Sequence, residues 1–160
     1  LGEEIIVNVQ GDEPELDPAL IERVAATLAT NTDCPMATLA CPLSQGEDPA
    51  NPNIVKVVLD QRGRAMYFSR SRIPFDRDNT GTALPLRHIG LYAYRRDFLA
   101  TYVNLSPTPL EQTEQLEQLR ALEHGYGIAV GLAEAAPAGI DTPEQYEAFL
   151  RRLGAAAGPG

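Results

Sequence analysis

Two carboxylates follow apolar segments near opposite ends of the sequence. Asp12 stands in "NVQGDEP", directly after the apolar run "EIIV", and Asp141 follows the run "IAVGLAE" and a short "APAG" loop. Residues just beyond strand ends reach the edge where open α/β sheets bind ligands. Two carboxylates there suit a hard cation such as Mg²⁺, which also takes water and phosphate oxygens. An Asx turn at Asp12 and a helix N-cap at Asp141 explain each residue at least as well.

Arginine is concentrated in the middle of the chain. Residues 62–96 hold eight Arg and two acidic residues, whereas the other 125 residues hold five basic and 20 acidic ones, and the net charge is −9. The overall acidity argues against a nucleic-acid partner. A local group of guanidinium ions suits a small anionic ligand, because each can bind a carboxylate or phosphate in a bidentate manner. From charge alone, a solvated surface is the simpler explanation.

Two further polar side chains are spaced four residues apart in a segment rich in aromatic residues. His88 and Tyr92 lie in "LRHIGLYAYRR", whose alternation predicts a strand. Residues i and i+4 of a strand share a face, so both side chains can reach the hydroxyls of one ligand. A hydrogen-bonded core histidine and a core aromatic are the simpler explanation here as well. The two Cys and two His residues match no zinc-ligand spacing.

The elements that position these residues follow an α/β order. "EIIVNV" predicts a parallel-type strand covered on both faces, "DPALIERVAATLAT" a helix, and "MATLACPL" the next strand. "IVKVVLD" and "RAMYFSR" predict a hairpin that turns at Asp60 to Gly63. A short helix in "RDFLATYVNL", a long helix in "SPTPLEQTEQLEQLRALEHG", a strand in "IAVGLAE" and a helix in "DTPEQYEAFLRRL" complete the order.

Length and composition predict one soluble domain. The 160 residues suit a single domain over residues 1–153, followed by a disordered "GAAAGPG" tail at 154–160. No apolar run approaches the roughly 18 residues of a membrane span, and no signal segment is recognisable. We therefore expect a cytoplasmic protein without a membrane partner.

Six segments in order resemble one enzyme family. "NVQGDEP", "NPNIVKVV", "YFSRSRIPFDRD", "LRHIGLYAYRRDFL", "TEQLEQLR" and "IDTPEQYE" closely resemble the 3-deoxy-manno-octulosonate (Kdo) cytidylyltransferases, also called CMP-Kdo synthetases. The resemblance implies an α/β, Rossmann-like nucleotidyltransferase fold with a mixed sheet, helices on both faces and a β-rich insertion at about 62–96. The family extends further at the front, where it holds the triphosphate. We therefore expect an N-terminally truncated enzyme that is inactive as this chain alone.

The same resemblance implies a reaction and a site. The family transfers CMP from CTP to Kdo, giving CMP-Kdo and pyrophosphate for lipopolysaccharide biosynthesis, and it forms homodimers through the β-rich segment. Asp12 and Asp141 match the catalytic carboxylates that hold Mg²⁺. Six residues match the substrate-binding positions: Gln10, Arg70, His88, Tyr92, Glu117 and Gln118.

Some roles stay open at this level. Arg70 matches the position that pairs with the Kdo carboxylate, whereas Arg72 is either a second contact or a surface charge, and His124 matches no motif. Another sugar nucleotidyltransferase, such as a CMP-sialic acid synthetase, is an alternative that "RHIGLYAY" and "LEQLR" disfavour. A non-catalytic binding or assembly domain is a second alternative, because no glycine-rich phosphate loop occurs in the sequence. An Arg- and Lys-bearing loop upstream would favour the enzyme.

Overall fold

The computed structural model describes residues 4–9, 17–136, 147, 150 and 151. Ten elements lie in this part of the chain. The strands are β1 (Ile5–Asn8), β2 (Met36–Pro42), β3 (Lys56–Leu59), β4 (Ala65–Ser69), β5 (Leu86–Arg95) and β6 (Ile128–Leu132). The helices are α1 (Pro18–Thr30), α2 (Arg96–Tyr102), α3 (Pro109–Glu114) and α4 (Gln118–Glu123).

The six strands form one mixed sheet around β5. The order is β4-β3-β5-β2-β6, and β1 also pairs with β5. The β2–β6 pair is parallel, and the other pairs are antiparallel. Because β2 covers one edge of β5 over residues 86–94, β3 and β1 share the other edge, at its two ends. This leaves a gap on that edge between the two shorter strands.

The prediction of a parallel, fully covered first strand is wrong. β1 runs antiparallel to β5, its Ile5, Ile6 and Val7 are half-buried, and Asn8 is exposed. The β-branched residues of β1 indicate a strand that packs against neighbours, but they do not indicate whether the partner strand is parallel or antiparallel. The strand nevertheless points its carboxyl end toward the gap beside β5.

Helices cover both faces of the sheet, as predicted. On one face, α1 buries Val24 and Leu28 against Leu39 and Leu91. On the other face, α2 and α4 contribute Tyr102 and Leu119 to a second core with Tyr94 and other residues of the sheet. α1 begins as its sequence predicts, because the Asp17 side chain accepts a hydrogen bond from the Ala19 amide at 2.9 Å. The predicted mixed α/β sheet is confirmed.

The long helix predicted over residues 106–125 is two short helices, and that prediction is wrong. α3 ends at Glu114, and its C-cap residue Gln115 adopts a left-handed conformation with φ 54° and ψ 50°. The Arg120 Nε donates to the Glu111 carboxylate at 2.8 Å, which joins the two helices in a folded-back arrangement. The leucine periodicity suited one helix, but tertiary contacts outweigh a weak local preference.

Two predicted segments lie mainly outside the described residues. Of the predicted C-terminal helix, only Glu147, Leu150 and Arg151 are described, and they are helical. The predicted tail at 154–160 is not among the described residues. Within the described part, no helix combines the length and the apolar character needed to cross a bilayer. Cys34 and Cys41 are buried and free.

Candidate functional site

A pocket lies on the edge of β5, in the gap between β1 and β3. β1 leaves β5 at Tyr92, and β3 joins it at Arg87. The pocket has a volume of about 430 Å³, and we call it the β5 pocket. Five predicted substrate-binding residues line it together: Arg70, His88, Tyr92, Glu117 and Gln118. The fold thus brings residues of β4, β5 and the α3–α4 connection to one place.

The guanidinium of Arg70 is held by backbone carbonyls. Nε donates to Glu114 O at 2.7 Å, Nη1 to Pro52 O at 3.0 Å, and Nη2 to Gln115 O at 3.3 Å. These bonds use three of its five N–H groups. In the described part of the chain, one N–H on each terminal nitrogen is left for a ligand. This arrangement suits an anion, because it fixes the guanidinium before binding.

Glu114 is a site residue that the sequence analysis missed. Its carboxylate accepts hydrogen bonds from Ser69 Oγ at 2.6 Å, from the Arg70 amide at 3.0 Å and from Tyr67 Oη at 3.3 Å. Burial alone would raise the pKa of Glu114, but these donors lower it overall. Glu114 is therefore ionised and fixes the end of β4, where Arg70 begins. The helical spacing gave no signal of this role, because the donors lie more than 40 positions away.

Lys56 holds the backbone beside the pocket, and the sequence analysis also missed it as a site residue. It is the only lysine in the chain and is fully buried. Nζ donates to Asn51 O at 2.9 Å, to Ile54 O at 2.5 Å and to Arg70 O at 2.5 Å. Burial lowers the pKa of Lys56. A lysine inside the apolar run "IVKVV" was the available signal, since a buried ammonium requires partners.

His88 and Tyr92 share one face of β5, as predicted. Their ring centroids are 5.5 Å apart, and the Phe68 ring packs edge-on against His88 at 5.0 Å. His88 Nε2 lies 2.9 Å from Thr38 Oγ1. Burial lowers the pKa of His88 to about 3, so the imidazole is neutral at neutral pH. Burial also raises the pKa of Tyr92 well above its usual value, so its hydroxyl stays protonated.

The break between α3 and α4 places the last two predicted residues at the pocket. Tyr102 Oη donates to Glu117 O at 2.8 Å, which anchors the connection to α2. Glu117 is exposed, whereas Gln118 is buried. The Gln118 Nε2 has no hydrogen-bond partner among the described residues. A buried amide donor without a partner costs about 1–3 kcal/mol, so this group favours a ligand that supplies an acceptor.

Much of the arginine in segment 62–96 is engaged in contacts within the protein. Arg64 pairs with Asp33 at 2.9 Å and with Asp60 at 3.1 Å, and Arg87, which lines the pocket, pairs with Glu47 at 2.5 Å. Arg72 is exposed and does not line the pocket. The local excess of arginine is therefore partly structural, and Arg70 is the member whose fixed guanidinium faces the pocket.

Gln10, Asp12 and Asp141 lie outside the described residues. Within the described ranges, no group of three or more His, Cys, Asp or Glu side chains is arranged to hold a metal ion. His124, to which no role was assigned, is exposed and lies 3.1 Å from Ser106 O through Nε2, away from the pocket.

A mixed sheet covered by helices on both faces, with a polar pocket at strand ends, defines an α/β domain whose pocket has the size of a small-molecule site. The sequence profile of the cytidylyltransferase family matches residues 2–130, and the chain belongs to this family.

The chain is similar to curated relatives that carry one name. It is 54% identical over 152 residues to the 3-deoxy-manno-octulosonate cytidylyltransferase of Polynucleobacter necessarius subsp. necessarius, covering 93% of this chain and 60% of the relative. It is 56% identical over 151 residues to the protein of that name from Vibrio parahaemolyticus, covering 90% of this chain and 60% of the relative. The chain thus spans about 60% of the length of these relatives.

A solved structure shares the fold. The structure of CMP:2-keto-3-deoxy-manno-octonic acid synthetase complexed with CTP superimposes with a TM-score of 0.85 at 42% identity. The match covers 95% of this chain and 62% of the solved one. The nucleotidyltransferase fold predicted from the sequence is therefore confirmed.

Proposed function

We propose that the protein serves as a 3-deoxy-manno-octulosonate cytidylyltransferase, which transfers CMP from CTP to Kdo for lipopolysaccharide biosynthesis. The observation that carries this proposal is the meeting of Arg70, His88, Tyr92, Glu117 and Gln118 in one pocket. These residues match the family's sugar-binding positions. The relatives at 54–56% identity carry this enzyme's name, which favours Kdo over another sugar acid.

The chemistry of the β5 pocket suits an acidic sugar. The free N–H groups of Arg70 can bind the carboxylate of Kdo, while the unpartnered Gln118 amide can donate to one of its oxygens. His88 and Tyr92 offer a neutral ring nitrogen and a protonated hydroxyl to the sugar hydroxyls. Together these groups bind and orient the sugar from several sides, and Gln10 is proposed to contribute from the segment after β1.

In the proposed reaction, the anomeric hydroxyl of Kdo attacks the α-phosphorus of CTP. A new oxygen–phosphorus bond forms, the bond to the β-phosphate oxygen breaks, pyrophosphate leaves, and the hydroxyl proton passes to solvent. Positioning supplies most of the catalysis, since phosphoryl transfer needs little covalent help from the protein. Asp12 and Asp141 are proposed to hold Mg²⁺, which offsets negative charge on the phosphates when bound.

We also propose that the protein forms a homodimer through residues 62–96 and acts in the cytoplasm. Three large apolar side chains in this segment are exposed: Met66 at 64%, Phe75 at 82% and Leu84 at 70%. Exposed apolar groups on one segment suit a protein interface. Sedimentation of the protein at micromolar concentration tests this, and a monomer at all concentrations would contradict it.

The sugar site can be tested by binding as well as by turnover. Calorimetric titration of Kdo, with and without CTP and Mg²⁺, should show that Arg70→Met weakens Kdo binding at least tenfold, because the carboxylate loses charge-assisted hydrogen bonds. Arg72→Met removes an exposed arginine two residues away and is the matched control. Equal loss in both variants, or unchanged binding in Arg70→Met, would refute the assignment. In the full-length enzyme, pyrophosphate release should fall in parallel.

A further inference from the structure

The β5 strand carries an irregularity that brings Thr38 next to His88. Thr38 pairs with Tyr92, whereas the following residue, Leu39, pairs with Ile89, so β5 holds two extra residues at this point. The Thr38 side chain is fully buried. Its Oγ1 lies 3.1 Å from Ile89 O, 2.8 Å from Leu91 O and 2.9 Å from His88 Nε2. One hydroxyl therefore contacts two backbone carbonyls and an imidazole nitrogen.

The number of available protons determines how many hydrogen bonds this cluster can form. A hydroxyl has one proton to donate, and a carbonyl oxygen can only accept. If the Thr38 proton goes to a carbonyl, its oxygen is free to accept a hydrogen bond from a protonated His88 Nε2. If the proton goes instead to an unprotonated Nε2, neither carbonyl receives it. The first arrangement makes two hydrogen bonds and the second makes one, so the geometry favours a proton on Nε2.

We propose that Thr38 is a positioning residue that locks His88 as the Nε2–H tautomer, so that its Nδ1 presents a lone pair to the β5 pocket. Nδ1 has no hydrogen-bond partner among the described residues, and His88 lines the pocket. Because Nε2 is engaged with Thr38, Nδ1 is the ring nitrogen left for a ligand. The low pKa of His88 agrees with a ring that carries a single proton.

This arrangement gives the pocket a defined polarity. A lone pair at Nδ1 accepts a hydrogen bond from a hydroxyl, but it repels an ionised carboxylate. Arg70, on another wall, offers only donors. A sugar acid is therefore oriented with a hydroxyl toward His88 and its carboxylate toward Arg70. This part of the inference rests on the proposed function, whereas the tautomer is a property of the protein without ligand.

The tautomer can be measured directly, because the chain has only two histidines. Long-range ¹H–¹⁵N correlation spectra of ¹⁵N-histidine-labelled protein distinguish protonated from unprotonated ring nitrogens, and His124→Gln assigns the His88 signals. We expect a protonated Nε2 in the native protein and in Thr38→Ser, which keeps the hydroxyl. Thr38→Val keeps the shape without the hydroxyl and should shift His88 toward the Nδ1–H form. A native His88 with its proton on Nδ1 overturns the proposal, even if Thr38→Val fails to fold.

Kdo titration tests the consequence for the ligand. In the full-length enzyme, Thr38→Val should weaken Kdo binding about tenfold, which corresponds to one lost hydrogen bond, and leave CTP binding unchanged, and Thr38→Ser should restore most of the Kdo affinity. A changed tautomer with unchanged Kdo affinity would refute the positioning role. If the full-length enzyme binds no Kdo in the presence of CTP and Mg²⁺, the proposed function fails, while the spectra still decide the tautomer.

Discussion

Replacing Lys56 by Met removes a buried ammonium that joins two segments of the chain beside the pocket. Its Nζ donates to Asn51 O and Ile54 O in the segment before β3, and to Arg70 O at the end of β4. The Met side chain has similar length and no hydrogen-bond donor. The substitution therefore keeps most of the volume and leaves three backbone carbonyls without this donor.

The size of the effect follows from two opposing terms. Hydrogen bonds to a charged group contribute about 1.5–3 kcal/mol each, so three bonds amount to about 4.5–9 kcal/mol. Removing the charge also relieves the cost of burying an ammonium, which is several kcal/mol. We expect a net loss of about 2–4 kcal/mol in the free energy of unfolding. That is a large share of the roughly 5–15 kcal/mol by which such domains are stable.

Urea unfolding followed by circular dichroism measures this loss. With a slope of about 2 kcal/mol per molar urea, the midpoint should fall by about 1–2 M. Arg62→Met removes an exposed cation from the β3–β4 turn and should change stability by less than about 0.5 kcal/mol. A Lys56→Met protein as stable as the native one would refute the reasoning, because it would show that burying the ammonium costs as much as its three bonds contribute.

Two further predictions concern a glycine and a histidine. Gly131→Ala should destabilise the protein by about 1–3 kcal/mol in thermal unfolding, because the new Cβ would lie 2.4 Å from Thr27 Oγ1. Gly90→Ala is the control and should not destabilise it, because its Cβ meets no atom within 4 Å. Equal melting temperatures of the two variants would contradict this prediction. Burial lowers the pKa of His88 from 6.5 to about 3 in the folded protein. As the pH falls from 6.5 toward 3, the unfolded state therefore binds a proton that the folded state does not, and the protein loses stability. At pH 5 the loss of stability relative to pH 7.5 should be about 2 kcal/mol. Urea unfolding at these two pH values should show this loss in the comparison variant His124→Gln but not in His88→Gln. The same pH dependence in both variants would contradict the assignment.

The strands were predictable from the sequence, but the direction of the first one was not. Alternation in "LRHIGLYAYRR" and the turn residues at Asp60 to Gly63 specify β5 and the β3–β4 hairpin, because side-chain periodicity and turn chemistry are local properties. β1 was expected to be parallel and is antiparallel to β5. Direction depends on which strand lies beside it, and the apolar pattern of "EIIVNV" is compatible with either choice.

The sugar-binding candidates were found by resemblance, but the residues that hold them were not. Arg70, His88 and Gln118 carry motif signals, whereas Glu114 and Thr38 act on them through contacts between residues more than 40 positions apart. Neither has an unusual neighbour in the sequence. A glutamate in a helical pattern and a threonine in a strand are ordinary at those positions, and their roles appear only when the sheet has formed.

The break between α3 and α4 shows how contacts between distant residues shape the site. As one continuous helix, residues 109–123 would place Glu117 and Gln118 about one turn beyond Glu114, on a rod without a bend. The left-handed Gln115 instead turns the chain, so that the carbonyls of Glu114 and Gln115 face Arg70 while Gln118 enters the pocket from α4. A left-handed residue other than glycine or asparagine costs about 1 kcal/mol or more. The Glu111–Arg120 ion pair and the Tyr102 bond to Glu117 O offset that cost. The break in the helix is therefore what brings an anchored arginine and an unpartnered amide together around one ligand.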